Sequence, residues 1–216
     1  MKLSKSFECK SVCVIDTCSL LYAAQIQLKN HKIFDWILDR YQVYICPKVK
    51  TECINNIQKG HVVLDDPENF KRIVTEHLFK YDFQECLTYL DEYCSKKEIF
   101  KFQKVQEGER QSLALALFLS INLREPVILL TDDLDALEVF NTILGQQKFG
   151  IAKALPDFIV TLFQSTESLE DYVAGRAFQN YYSIATRADL RKSMFGDRMK
   201  LSCRILWFQN CNLRCL

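Results

Sequence analysis

The chain has 216 residues, 49% hydrophobic and 25% charged, with a formal net charge of +1. That balance fits one ordinary globular domain with room for a sizeable core and an appendage, and a near-neutral total assigns no partner by itself. Three classes are disfavoured. No apolar run approaches the length of a membrane span. The polar, charged stretch Met1–Lys10 carries no export signal. The ten cysteines include no C-x-x-C pair and only three histidines accompany them, which argues against a zinc site. Free thiols in a reducing compartment, a cytoplasmic location and no membrane partner are the expectations.

Taken in chain order, Val12-Cys13-Val14-Ile15 is apolar and rich in β-branched residues, which predicts a strand covered on both faces. Asp16 ends it, and Thr17 is placed to cap a helix over Cys18–Lys29 with Leu20, Leu21, Ala24 and Leu28 on its apolar stripe. A second helix is expected over Lys32–Arg40 and a second strand over Gln42–Cys46. Pro47 suits the first turn of the next helix, which carries Glu52 beside Val49, Cys53, Ile54 and Ile57 and stops at Gly60. Residues 61–75, with Asp65-Asp66-Pro67, read as a turn-bearing connection.

Helical spacing returns over Phe83–Gln103. The following helix, through Leu113-Ala114-Leu115-Ala116-Leu117-Phe118, is apolar over most of its circumference and is expected to be buried against the sheet. Pro126 opens the strand Val127–Leu130, and a helix follows to about Leu144. Ile151–Ala154 makes a short final strand, and Pro156 starts a helix ending near Phe163. This alternation predicts an α/β fold, a mainly parallel sheet flanked by helices on both faces.

Residues 1–164 are read as one domain and 165–216 as a basic C-terminal appendage. From Tyr172 to Leu216 there are 8 Lys/Arg and 2 Asp/Glu, net +6, against −5 for the remainder. Leu169–Tyr182 and Arg187–Met194 look helical, and Met199–Phe208 alternates like a strand. Such a tail suits RNA phosphates, a protein partner or self-association into a homodimer. Arg187, Arg191, Lys192 and Lys200 are the candidate nucleic-acid-binding residues. Lys96–Lys104 interleaves bases and aromatics, which suits a backbone grip with stacking or an amphipathic helix with lysine stems laid along it.

Several acids should meet at the carboxyl edge of the sheet, where open α/β folds place ligands. Asp16 ends the first strand, Asp133 follows the 127–130 strand with Asp132 and Asp135 beside it, Glu109 opens the buried helix, and Glu52 stands one to two turns into the helix after the second strand. Carboxylates packed together resist ionising. With no Cys/His pattern, the natural counter-charge is a hard cation, Mg²⁺ or Mn²⁺.

The stretches Val-Ile-Asp16-Thr17-Cys18-Ser-Leu-Leu, Thr51-Glu52, Gly108-Glu109-Arg-Gln-Ser112-Leu-Ala114-Leu-Ala116 and Leu-Leu-Thr131-Asp132-Asp133-Leu-Asp135 resemble, in this order, the PIN-domain nucleases. The resemblance covers about residues 10–163. It implies a PIN-like fold and metal-dependent phosphodiester hydrolysis, mostly of RNA, by a metal-activated water. The ends left would be 5′-phosphate and 3′-hydroxyl. It makes Asp16, Glu52, Glu109 and Asp133 the catalytic acids, with Asp135 a further metal ligand beside Asp16, Glu109 and Asp133. Thr17, Thr131 and Asp132 become supporting residues. Cys18 stands where the family commonly has Ser or Asn, and Glu109 where Asp is more frequent. Many small members are toxin ribonucleases held by an antitoxin. A DNA substrate, and a non-catalytic PIN-like scaffold for nucleic acid or protein, are the alternatives these residues leave open.

Overall fold

The computed structural model describes residues 10–97, 106–146, 148–165, 176–177, 179–181 and 183–184. In chain order the elements are β1 (Ser11–Ile15), α1 (Thr17–Gln25), β2 (Gln27–Leu28), β3 (His31–Lys32), α2 (Ile33–Arg40), β4 (Tyr41–Tyr44) and α3 (Pro47–Gln58). They continue with α4 (Pro67–Glu76), α5 (Phe83–Lys96), α6 (Glu107–Leu123), β5 (Val127–Leu130), α7 (Leu134–Gln146), β6 (Gly150–Lys153) and α8 (Leu155–Ser165).

The architecture is α/β: a four-stranded parallel sheet, order β4-β1-β5-β6, flanked by helices. β1 lies inside the sheet, and Val12 through Ile15 are all buried, which is why that run has no polar alternation. Helix α6 packs on β1 and β5 and is itself covered by α5. Its residues Leu113 to Leu117 are fully buried, so a nearly all-apolar circumference is what its position demands. The register sets Val14 opposite both Tyr44 and Leu129, so β4, β1 and β5 end almost level. The Asp16 N–H then donates to the Leu130 carbonyl at 3.0 Å, which holds Asp16 beside Thr131 at the carboxyl edge.

Three local expectations change. Asp16, not Thr17, is the N-cap of α1, because its extended backbone lets its carboxylate accept from the Ser19 N–H at 2.8 Å. The helix expected to reach Lys29 stops at Gln25. Ile26 and Leu28 are buried instead in a short antiparallel hairpin, β2–β3, that turns through Lys29 at φ 58°. Residues 61–75 are more than a connection: Asp66 accepts from the Asn69 N–H at 3.0 Å, Pro67 occupies the first turn, and Phe70 and Val74 bury one face of α4. After α4 the chain returns to the sheet, where Leu78 bridges Ile45 in parallel and the Phe79 N–H donates to the Ile45 carbonyl at 2.9 Å.

Described residues of the C-terminal segment meet the domain. Ala177 (0% exposed) and Tyr181 (2%) belong to the same hydrophobic core as β1 and α6. The residues Arg187, Arg191, Lys192 and Lys200, the 187–194 helix, the 199–208 strand and the basic stretch beyond Lys97 lie outside the described residues. Among the described residues Cys13, Cys18, Cys46, Cys53, Cys86 and Cys94 are free thiols. No described helix is long and apolar enough to cross a membrane.

Candidate functional site

A cleft of about 280 Å³ opens at the carboxyl edge of β1, lined by Asp16, Thr17, Cys18, Glu52, Asn56, Gln106, Gly108 and Glu109. Three chain segments far apart in sequence meet there: the β1–α1 junction, α3 and the start of α6. Among the described residues no lysine or arginine lines the cleft. The Lys48 ammonium of α3 stands 3.9 Å from Glu52 Oε1.

Each acid is held by donors. Asp16, 3% exposed, accepts from the Ser19 N–H on Oδ1 and from the Thr131 hydroxyl on Oδ2. Glu52 Oε2 accepts from the Thr17 hydroxyl at 2.6 Å. Glu109 Oε2 accepts from the Gln106 N–H at 3.0 Å, the return half of a capping box at the start of α6. Gly108 makes room for Glu52: a Cβ at Gly108 would come within 2.9 Å of Glu52 Oε2.

Burial dominates the electrostatics. It pushes the Asp16 carboxyl up to about 7; the Thr131 hydrogen bond pulls it down, the charge of Asp132 pushes it up, and Ser19 lowers it again. Cys18 faces the cleft with an exposed side chain. The protein packed around its thiol, then the carboxylates Asp16, Asp132, Asp133 and Glu109, hold it well above the usual thiol range, so it stays a neutral thiol.

The two aspartates after β5 have different places. Asp133 caps α7, its Oδ1 accepting from the N–H groups of Asp135 and Ala136 at 2.9 and 3.0 Å. Asp135 is exposed in the first turn of that helix. Asp132, which the resemblance puts in reserve, is the buried one at 3% exposure. It accepts from the hydroxyls of Ser19 and Tyr181 and from the Leu155 N–H. Thus Asp16, Glu52 and Glu109 share the cleft, Asp133 stands next to it as a helix cap, Asp132 lies behind it, and Asp135 is on the outer face.

Sequence reasoning passed over Ser19, Asn56, Gln106 and Tyr181. Ser19 carries a local signal, since it stands three residues after a capping aspartate. Asn56 stands one helical turn after Glu52 and donates to the Glu52 carbonyl at 2.9 Å. Tyr181 carries no local signal, because its partner is 49 residues away.

The donor set is oxygen-rich, which suits Mg²⁺ or Mn²⁺ rather than a soft metal. Among the described residues no three His, Cys, Asp or Glu side chains are gathered as a finished metal cage. Compared with family models, curated proteins and solved structures, the chain matches none.

Proposed function

We propose that the protein is a PIN-like, metal-dependent endoribonuclease. The observation that carries this reading is the convergence of Asp16, Glu52 and Glu109 on one cleft at the carboxyl edge of the sheet. Carboxylates gathered at one cleft favour a positive charge joining them. Asp16, Glu52 and Glu109 would hold the ion, with Asp133 as the adjoining acid. A bound Mg²⁺ or Mn²⁺ lowers the pKa of water and offsets charge developing on a phosphodiester.

The chain's own residues supply the rest. Thr17 and Thr131 orient Glu52 and Asp16, and Ser19 fixes the second oxygen of Asp16. Gly108 leaves the Glu52 carboxylate its place. Burial of Asp16 keeps water away from one side of the site, so the charge there is felt strongly. Asn56 and Gln106 add polar side chains at the rim able to meet a substrate. No acid needs to act as a covalent nucleophile, and an RNA strand with a toxin-type or other partner fits the reading.

The test is cleavage of labelled single-stranded RNA and DNA with Mn²⁺, Mg²⁺ or EDTA, wild type beside Asp16→Asn. Metal-dependent cutting of RNA that disappears in the variant is the expected result. Cutting of DNA alone would change the substrate, and wild-type cutting by a folded Asp16→Asn would sink the assignment.

A second reading, a non-catalytic scaffold for nucleic acid or protein, is favoured by one observation: each acid already has protein donors, and no finished metal cage stands among the described residues. Thermal melting separates the two. A nuclease site raises the melting temperature as Mn²⁺ is added, by linkage, and a scaffold does not.

A further inference from the structure

Helix α3 presents a row of polar side chains at four-residue spacing: Lys48, Glu52 and Asn56. Residues so spaced share one face of a helix. Glu52 and Asn56 line the acid cleft, which places Lys48 on the same face, one turn nearer the start of the helix. Its Nζ stands 3.9 Å from Glu52 Oε1, and the two side chains are 40% and 33% exposed. The Lys48 N–H donates to Gln111 Oε1 at 3.2 Å, so its backbone is tied to α6, the helix whose first turn supplies Gly108 and Glu109 to the cleft.

We propose that Lys48 is a substrate-binding residue: its ammonium, held loosely beside Glu52 at the mouth of the cleft, takes a backbone phosphate next to the one that meets the acids. This deepens the nuclease reading and rests on it.

A cleft lined by Asp16, Glu52 and Glu109 repels a polyanion, so a strand that enters it needs cations along its path. Lys48 is fixed in place for that task by its backbone and left free at its tip. A charge-assisted N–H···O bond is about 2.7–2.9 Å long, and the separation from Glu52 is well beyond it. An exposed pair four residues apart, with the lysine on the N-terminal side, is also the weaker orientation for such pairs. Glu52 meanwhile has a firmer partner, since its Oε2 accepts from the Thr17 hydroxyl at 2.6 Å. A phosphate oxygen, carrying a full charge and approaching from solvent, is therefore a better acceptor for the ammonium than Glu52 Oε1. The advantage grows once Glu52 serves a cation, because its charge is then shared. Lysine acts at such a place as a compact point charge on a flexible stem, which suits a phosphate whatever base it carries.

The experiment uses the full chain as wild type, Lys48→Met and Lys48→Arg. Methionine keeps an unbranched stem and removes the charge. Mn²⁺ binding is read from the electron paramagnetic resonance signal of the free ion, and folding from thermal melting. Binding of a labelled single-stranded RNA to the Mn²⁺-loaded protein is read by stopped-flow anisotropy over a series of salt concentrations. The expected result for Lys48→Met is a wild-type melt, RNA binding weaker by about tenfold, and a plot of log affinity against log salt shallower by about 0.7. Its Mn²⁺ affinity should equal that of wild type or be up to about twofold tighter, because a competing charge has left Glu52. Lys48→Arg should keep the wild-type slope. An unchanged RNA affinity and slope in Lys48→Met would overturn the proposal while leaving the metal site standing. So would weaker Mn²⁺ binding or a lower melt in Lys48→Met, since either makes Lys48 a support for Glu52 or for α3, and so would an arginine variant that binds RNA no better than the methionine one. Wild type that binds no Mn²⁺ would remove the nuclease reading itself, and the role of Lys48 with it.

Discussion

Asp16 caps α1, accepts from Thr131 and lies almost wholly out of water, and those facts set how it responds to pH. Its carboxyl rises from 3.8 to about 7 on folding. Between those values the folded chain holds a proton that the unfolded chain has released. Its contribution to stability is therefore greatest below pH 3.8, falls as pH rises to about 7, and is flat above that. The full shift is on the order of 4 kcal/mol. Urea melts in EDTA should show wild type losing roughly 3 kcal/mol relative to Asp16→Asn between pH 5 and pH 8. Parallel pH dependences would place the Asp16 carboxyl near its ordinary value. Gly108→Ala is a second test at this scale. The added Cβ meets the flexible end of Glu52, so the fold should survive, with up to about 1 kcal/mol gained from helix propensity. Mn²⁺ affinity should nonetheless fall by roughly tenfold as Glu52 is displaced. Unchanged affinity in a folded Gly108→Ala would remove Glu52 from the site.

Elements carry different constraints from residues. β6 approaches β5 so closely that a Cβ on Gly150 would lie 2.0 Å from the Val127 carbonyl oxygen, and backbone cannot step aside as a carboxylate can. Gly150→Ala should therefore cost about 1–3 kcal/mol or more, read from the urea midpoint, as the strand pair is forced apart. Helix α6 ends on Arg124 in the left-handed conformation, φ 56° and ψ 33°, where a side chain is strained. Arg124→Gly should raise the melting temperature, with a gain of about 1 kcal/mol. Helix α6 also explains why the site has its shape. Its apolar length is committed to the sheet, so only its first turn, with Gly108 and Glu109, reaches the cleft.

For the whole molecule, Ala177 and Tyr181 tie the C-terminal segment to the domain. A chain ending at Ser165 loses Ala177 and Tyr181 from the core and bares the face of α1 that Tyr22 presents to Tyr181. Burying one such aromatic side chain is worth roughly 1.5–3 kcal/mol, so the truncated chain should melt several degrees lower. A melt equal to that of the full chain would show that the docked segment adds nothing to the fold. The same truncation takes away the basic residues that balance an acidic body, so loss of RNA binding by it would not by itself separate the phosphate grip from the Tyr181 contact.

The strands of the parallel sheet and most helices were legible in the sequence because burial on one face or two leaves a period within a few residues. Val12–Ile15, Val127–Leu130 and Leu113–Phe118 carry the α/β class by that means alone. The order of acids along the chain, Asp16, Glu52, Glu109, Asp132 and Asp133, was also legible. Asp16, Glu52 and Glu109, three of the four acids expected to meet, do line one cleft, but the different places of the two aspartates after β5 were not legible. Asp132 and Asp133 are adjacent in sequence, and only the end of β5 and the start of α7 send one inward to Ser19 and Tyr181 and make the other a cap. Ile26 and Leu28 fit a helical stripe as well as a hairpin, and packing chose the hairpin. Periodicity reports what a residue's near neighbours in the chain bury. The hydrogen bonds Thr131–Asp16, Ser19–Asp132 and Tyr181–Asp132 join residues 115, 113 and 49 positions apart, and only the folded backbone brings such groups within reach.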